Sequence, residues 1–380
     1  GCQNKVVERA AYRVDHVGSF LRPKELVEAR EKFSKGELSQ EELTKVEDKV
    51  ITELVEKQIA NGLKGVTDGE FRRAYWHLDF FWGLNGVEHT QAKIGYQFHD
   101  ETTKPDSADV VGKITGENHP FVEHYKFLRD LVGDRAKVKQ TIPAPAQFYF
   151  ELIRDEEHVE QLNSVYSNFD DVVEDISKAY LEVIQQLFHE GLRTLQVDDC
   201  TWGILVDDNF LTLWGQGRDK EEVRRELAAT FLRLNNAVYK NIPEGLVVNT
   251  HVCRGNFHST WASSGGYAPI AKELLGEEAV NAYFLEFDTD RAGGFEPLAE
   301  VTPGKGVVLG LLTSKSGQLE NKDEVIARIK EASQYVPLEN LYLSTQCGFA
   351  STEEGNILTE EDQWKKIGLI KEIVAEVWGE

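Results

Sequence analysis

The chain has 380 residues, 41 % of them apolar, and a formal net charge of −23 at neutral pH. That length suits a single α/β barrel, and the apolar share is enough for a large core. So acidic a surface repels phosphate backbones and anionic bilayers, which excludes nucleic acid and membrane as expected partners. No apolar run approaches the roughly 18 residues of a membrane span.

In chain order, the first strand candidate lies near residues 13–18. Ser39 and Glu42 then form a capping box that opens a helix, along which Leu43, Val46, Val50, Leu54 and Ile59 keep a helical period. After Gly62, LKGVTDGE reads as a strand ending in acids. Residues 75–135 fit no such alternation: they hold the aromatic-rich YWHLDFFWGL and a polar stretch, and read as a long insertion above the barrel. There Tyr75, Trp76, Phe80, Phe81 and Trp82 are expected in lid and core. A helix over 171–190 buries Ile176, Ala179, Tyr180, Val183, Ile184 and Leu187; Gly191 stops it, and LRTLQV follows as a strand.

Further strand segments fall near 64–68, 138–142, 193–197, 246–251, 282–286, 306–312 and 341–345, making eight with the first. Strands alternating with helices imply parallel pairing, and eight units imply a closed (β/α)8 TIM barrel. No linker divides residues 1–380, so one catalytic domain is expected. A doubly wound open sheet is the alternative, but no glycine-rich nucleotide loop follows the first strand.

Polar groups gather at the carboxyl ends of these segments, where barrels of this kind place their chemistry. VDHVGSF ends in Gly18 and Ser19, VTDGEF in Asp68 and Glu70, LQVDD in Asp198 and Asp199. VVNTHVC supplies His251 and Cys253, YFLEFD supplies Glu286, LLTSK supplies Lys315 and LSTQCGF supplies Cys347. Residues two apart on a strand face the same side, so His251 and Cys253 can reach one ion together, with Glu286 and Cys347 at nearby strand ends. One imidazole, two thiolates and one carboxylate suit tetrahedral zinc. The competing reading, cysteines as small buried hydrophobes, stays open on spacing alone. Cys200 fits that description, and Cys2 reads as a loose terminal thiol. Four cysteines are too few for a disulfide framework, and the chain reads as cytoplasmic with reduced thiols.

Taken in order, HVGSFLRP, VTDGEFRRAYWHLDF, LQVDD, THVCRGN, FLEFD and STQCGFASTEEG resemble the cobalamin-independent methionine synthase family. The likeness is to its catalytic C-terminal barrel, and closer still to stand-alone single-barrel bacterial relatives. It implies a zinc-dependent methyltransferase that methylates the thiol of homocysteine to give methionine. Its type would be the 5-methyltetrahydropteroyltriglutamate–homocysteine S-methyltransferase, with methylfolate or its polyglutamate as donor. By the resemblance His251, Cys253, Glu286 and Cys347 match the zinc ligands; Glu286, the hardest and most replaceable of the four donors, is expected to yield to the substrate sulfur. Val17, Gly18 and Ser19 match the loop that holds the amino acid through its backbone, and Glu70 and Asp198 the carboxylates that hold its ammonium. A structural ion pair of these acids with Arg22, Arg72 or Arg73 is the alternative.

The chain also departs from the family. The position of the family's proton-donating histidine holds Lys315, which can act as an acid, hold an anion or lie solvated. The folate-stacking tryptophan is replaced in PAPAQFYFEL, where Phe148 and Tyr149 are the candidate aromatics. These changes leave open a methylcorrinoid or small methyl compound as donor, and another thiol as acceptor. A barrel that only binds zinc and thiols, without catalysis, is the reading from a different class. His16 and His77 sit beside the matched motifs as pocket or packing residues. His89, His99, His119, His124, His158, His189 and His258 read as surface or core, and oligomeric state is not encoded legibly.

Overall fold

The computed structural model describes residues 9–92, 106–254, 266–287, 294–350 and 358–380, and the backbone alone of 97–98 and 101–102. Cys2, His99 and His258, and the outer parts of the THVCRGN and STQCGFASTEEG motifs, lie outside the described residues. Seven strands form one parallel sheet: β1 (Gly65–Val66), β2 (Lys137–Pro143), β3 (Thr194–Asp199), β4 (Val247–Val252), β5 (Ala282–Glu286), β6 (Gly306–Leu312) and β7 (Leu341–Thr345). Their order in space is their order in the chain, and every neighbouring pair is parallel.

Each step to the next strand crosses over through helix. Phe169–His189 links β2 to β3, Lys220–Tyr239 links β3 to β4, and Lys322–Ala332 links β6 to β7. With helices outside and side chains inside, the strands are buried on both faces: every residue of β5, β6 and β7 is buried. The expected capping box of Ser39 and Glu42 opens the helix Gln40–Ala60, and Asn168 caps Phe169–His189 through Asp171.

The closed eight-stranded barrel is not what the ladders form. Residues 13–18 make only an isolated bridge, Val14 to Leu343 of β7. Side chains occupy the backbone groups that a ladder would need. The Asp15 carboxylate accepts from the Tyr12 and His16 N–H groups at 3.1 and 2.8 Å, and the Lys139 ammonium, 3.0 Å from Asp15, also donates to the His16 carbonyl. The same short segment touches the opposite edge, where Thr67 Oγ1 donates to the Gly18 carbonyl at 2.6 Å and His16 Nε2 meets the Gly65 carbonyl at 2.8 Å. One segment reaches both edges because the seven-stranded sheet curls round on itself.

The insertion also differs from expectation. Asn85–Gln91 and Asp106–Thr115 pair as antiparallel strands, and Asp106–Thr115 packs on the helices Pro145–Leu152, Glu156–Val165 and Phe169–His189. Ser107 fastens it there, donating to Glu151 Oε2 at 2.6 Å and meeting His158 Nε2 at 2.7 Å. The last part of the stretch, Pro120–Val132, is an ordinary layer helix against β2. Phe80 and Phe81 are fully buried, as core residues.

Candidate metal and substrate site

The carboxyl ends of β4, β5 and β7 bring three of the four sequence-predicted ligands together, His251, Glu286 and Cys347, with Asp198 of β3 beside them. His251 is the register partner of Asp198 across the β3–β4 ladder, and Glu286 is the last residue of β5. His251 Nδ1 lies 3.3 Å from Asp198 Oδ1, leaving Nε2 toward the Gln346 carbonyl at 3.2 Å and Glu286 Oε1 at 3.9 Å. The Cys347 thiol donates to Glu286 Oε1 at 3.0 Å. One donor atom each from His251, Glu286 and Cys347 lies within 4.8 Å of the other two, and all three residues are buried. Cys253 stands outside that group of three, and its nearness shows in the Cys347 thiol, whose pKa it helps to push well up.

The electrostatics favour a cation. Burial opposes a charged His251, yet Asp198, Cys253 and Glu286 push its pKa up to about 9. Cys253, burial and the Glu286 charge together push the Cys347 thiol well up. The buried Gln346 Oε1 has no hydrogen-bond partner, leaving an acceptor beside Glu286, to which Gln346 Nε2 donates at 3.5 Å. Imidazole, thiols, a carboxylate and a spare acceptor fit zinc, which takes N, S and O donors tetrahedrally.

The expected substrate residues border this group. Ser19 accepts from Phe349 N–H at its carbonyl (3.0 Å) and from Ala350 N–H at Oγ (3.2 Å), which lays the 17–19 loop against the turn that carries Cys347. Gly18 has φ +137°, and a Cβ there would stand 2.9 Å from Thr141 Cγ2 and 3.6 Å from Glu70 Oε2, so glycine brings the loop onto Glu70. The Val17 carbonyl accepts from Gln196 Nε2 at 2.6 Å, and the same amide nitrogen donates to Asp198 at 2.8 Å.

Glu70 is held in the left-handed region at φ +63°, where its N–H donates to Asp68 Oδ1 at 2.8 Å. Its carboxylate accepts from Thr141 Oγ1 at 2.8 Å and faces Arg73 at 3.4 Å. The ion-pair alternative is therefore realised with Arg73, while Arg72 binds Glu47 and Asp48, and Arg22 donates to the Glu70 and Arg73 carbonyls. One arginine does not neutralise the place: burial, opposed by Arg73 and reinforced by Asp198, still raises the Glu70 pKa. Two buried carboxylates that repel one another form a site for a positive group.

Lys315 is half-buried after β6, its N–H donating to Thr313 Oγ1 at 3.1 Å. Phe148 is fully buried against Phe81, so it has no open face for stacking, and Tyr149 packs edgewise on Phe169. His16 and His77 are packing residues whose pKa burial lowers to about 4. Cys200 was expected as an isolated buried hydrophobe, but it follows Asp199 at the end of β3, near enough to Cys253 that this thiol and burial push its pKa well up. The signal available in the sequence was its place directly after LQVDD, at the end of the strand beside His251 and Cys253.

A family model described as cobalamin-independent synthase, catalytic domain, matches residues 14–361. The chain is 42 % identical over 380 residues to the uncharacterized protein YxjH of Bacillus subtilis, covering 100 % of this chain and 98 % of that one. A crystal structure of a Listeria monocytogenes protein titled a putative vitamin-B12 independent methionine synthase aligns at TM-score 0.74 and 36 % identity, over 98 % of this chain and 100 % of that one. A B12-independent methionine synthase from Shewanella, solved with selenomethionine, shares the fold at TM-score 0.70 and 19 % identity, over 96 % and 97 % of the two chains.

Proposed function

Because this chain belongs to the cobalamin-independent methionine synthase family through its catalytic domain, we propose that it transfers a methyl group to the thiol of homocysteine, giving methionine. The observation that carries the reading is the buried group of His251, Glu286 and Cys347, all within 4.8 Å, beside the paired acids Glu70 and Asp198. His251, Cys253, Glu286 and Cys347 would hold zinc, which supplies the acidity that turns a thiol of ordinary pKa about 8.5 into its nucleophilic thiolate.

The chain's own residues do the rest. Glu70 and Asp198 take the substrate ammonium, and the 17–19 backbone orients it, so that the thiol points at Cys347 and Glu286. Glu286 accepts from the Arg254 N–H at 3.3 Å and from Gln346 Nε2 at 3.5 Å, so this carboxylate would keep protein partners if a substrate sulfur displaced it. Lys315 delivers the proton that the donor's leaving group needs. The paired acids argue against a barrel that merely stores zinc, since storage needs no ammonium clamp.

Methylfolate is the donor that the family suggests. The burial of Phe148 and the packing of Tyr149 favour a second reading, with a methylcorrinoid or small methyl compound as donor, or another thiol as acceptor. The test is to incubate the zinc-loaded protein with homocysteine and, separately, 5-methyltetrahydrofolate as mono- or triglutamate, or methylcobalamin, and to assay methionine. Methionine that depends on zinc, homocysteine and one donor is the expected result. No methionine with any of the three sinks the methionine synthase reading.

A further inference from the structure

The β3–β4 ladder sets Cys200 beside Cys253. Asp199 and Val252 are the last register partners of the ladder, and the Cys253 N–H donates to the Asp199 carbonyl at 2.9 Å as part of that pairing. Cys200 and Cys253 directly follow that last pair. Neighbouring strands lie about 4.8 Å apart, within the roughly 4.4–6.8 Å between Cα atoms that a disulfide spans. The Cys253 thiol is close enough to push the Cys200 thiol's pKa well up, together with burial.

Cys200 is pinned where it stands. Its N–H donates to Gln147 Oε1 at 2.9 Å and its carbonyl accepts from Ile204 N–H at 3.4 Å. A Cβ on Gly203 would fall 2.6 Å from the Cys253 carbonyl, so glycine lets this turn close on the end of β4. Cys200 and Cys253 are both half-buried, whereas Cys347 is buried and its thiol engaged by Glu286. A small reagent therefore reaches the first pair before it reaches Cys347.

We propose that Cys200 and Cys253 form a reversible oxidation site, closed to a disulfide by a hydroperoxide. The Cys253 sulfur attacks one peroxide oxygen and the O–O bond breaks, leaving Cys253 as a sulfenic acid; the departing hydroxide takes the proton of a free Cys253 thiol to become water, and would leave as hydroxide from a zinc-bound thiolate. The Cys200 sulfur then attacks that sulfur and expels hydroxide, which leaves as water with the Cys200 proton. In sum, two thiols and one hydrogen peroxide give one disulfide and two waters. The disulfide removes a sulfur that the metal site needs, so the ion is released until a dithiol restores both thiols. The cross-link stands on geometry alone; its effect on the metal rests on the proposed zinc site.

The experiment treats the zinc-loaded full chain with hydrogen peroxide and maps its disulfides by mass spectrometry without reduction. A chromogenic chelator follows zinc before and after dithiothreitol. The expected result is a Cys200–Cys253 cross-link, zinc release that parallels it, and recovery of zinc binding on reduction. Cys200→Ser should bind zinc before treatment, give no such cross-link, pass to sulfinic acid at Cys253, and lose the dithiol-recoverable zinc. A Cys253–Cys347 cross-link, no intramolecular cross-link, or full recovery in Cys200→Ser overturns the proposal. If the protein takes up no zinc, the mapping is done on the metal-free chain, so failure of the metal reading and failure of the cross-link stay distinguishable.

Discussion

Asp198 Oδ1 stands 3.3 Å from His251 Nδ1, across a ladder in which the two residues are direct partners. That contact fixes which imidazole nitrogen is left for an ion, since a ligating histidine is oriented by what its other nitrogen binds. It also gives Asp198 two tasks, one toward the metal ligand and one toward the substrate ammonium.

Asp198→Asn should accordingly lower zinc affinity by about 10- to 100-fold, the usual effect of losing such a partner. Competition with a chelator of known affinity reads this directly. Unchanged affinity would reduce Asp198 to a substrate contact.

Glu70→Gln should leave the metal in place and weaken the amino acid. Losing a hydrogen bond to a charged group costs about 1.5–3 kcal/mol, or about 10- to 100-fold in affinity. Calorimetric titration with homocysteine against the unsubstituted protein measures it. Folding should not suffer, because burial already disfavours the Glu70 charge. Equal affinity would leave Glu70 as the ion-pair partner of Arg73 and nothing more.

Lys315→Ala should slow turnover by about 100-fold or more if Lys315 is the general acid, with little change in homocysteine binding. Equal turnover would place Lys315 among the ordinary half-buried lysines.

Glu278 gives a prediction about stability. It is buried with Asp199, accepts from Trp202 Nε1 at 2.8 Å and Asn235 Nδ2 at 3.1 Å, and burial followed by the Asp199 charge pushes its pKa from 4.5 up to about 8. Between those values the folded chain holds a proton that the unfolded chain has released. Its contribution is thus full below pH 4.5 and is lost as pH rises toward about 8, by about 1.4 kcal/mol per unit. Glu278→Gln should remove that decline from the difference between the two proteins' urea-unfolding curves. Parallel pH profiles would contradict it.

Much of this was legible in the sequence because it rests on short-range rules. The Ser39 capping box and the periodicity of Phe169–His189 need only neighbours three or four residues away, and His251 and Cys253 need only the alternation of a strand. What escaped depends on distant partners. The segment 13–18 has a strand's apolar pattern, but Lys139, 124 residues on from Asp15, takes part of its backbone bonding. The strand Asn85–Gln91 is polar and largely exposed, with no apolar face to announce it. Cys200 gained its meaning only from the β3–β4 register, and Arg73, Thr141 and Gln346 from contacts across the site.

The central claim is that His251, Cys253, Glu286 and Cys347 hold one ion and that homocysteine's sulfur joins them. X-ray absorption at the zinc edge counts sulfur neighbours, which lie at about 2.3 Å from zinc. The account predicts two sulfurs in the zinc-loaded protein and a third when homocysteine is added, with loss of an oxygen neighbour. A sulfur count that homocysteine leaves unchanged would contradict it.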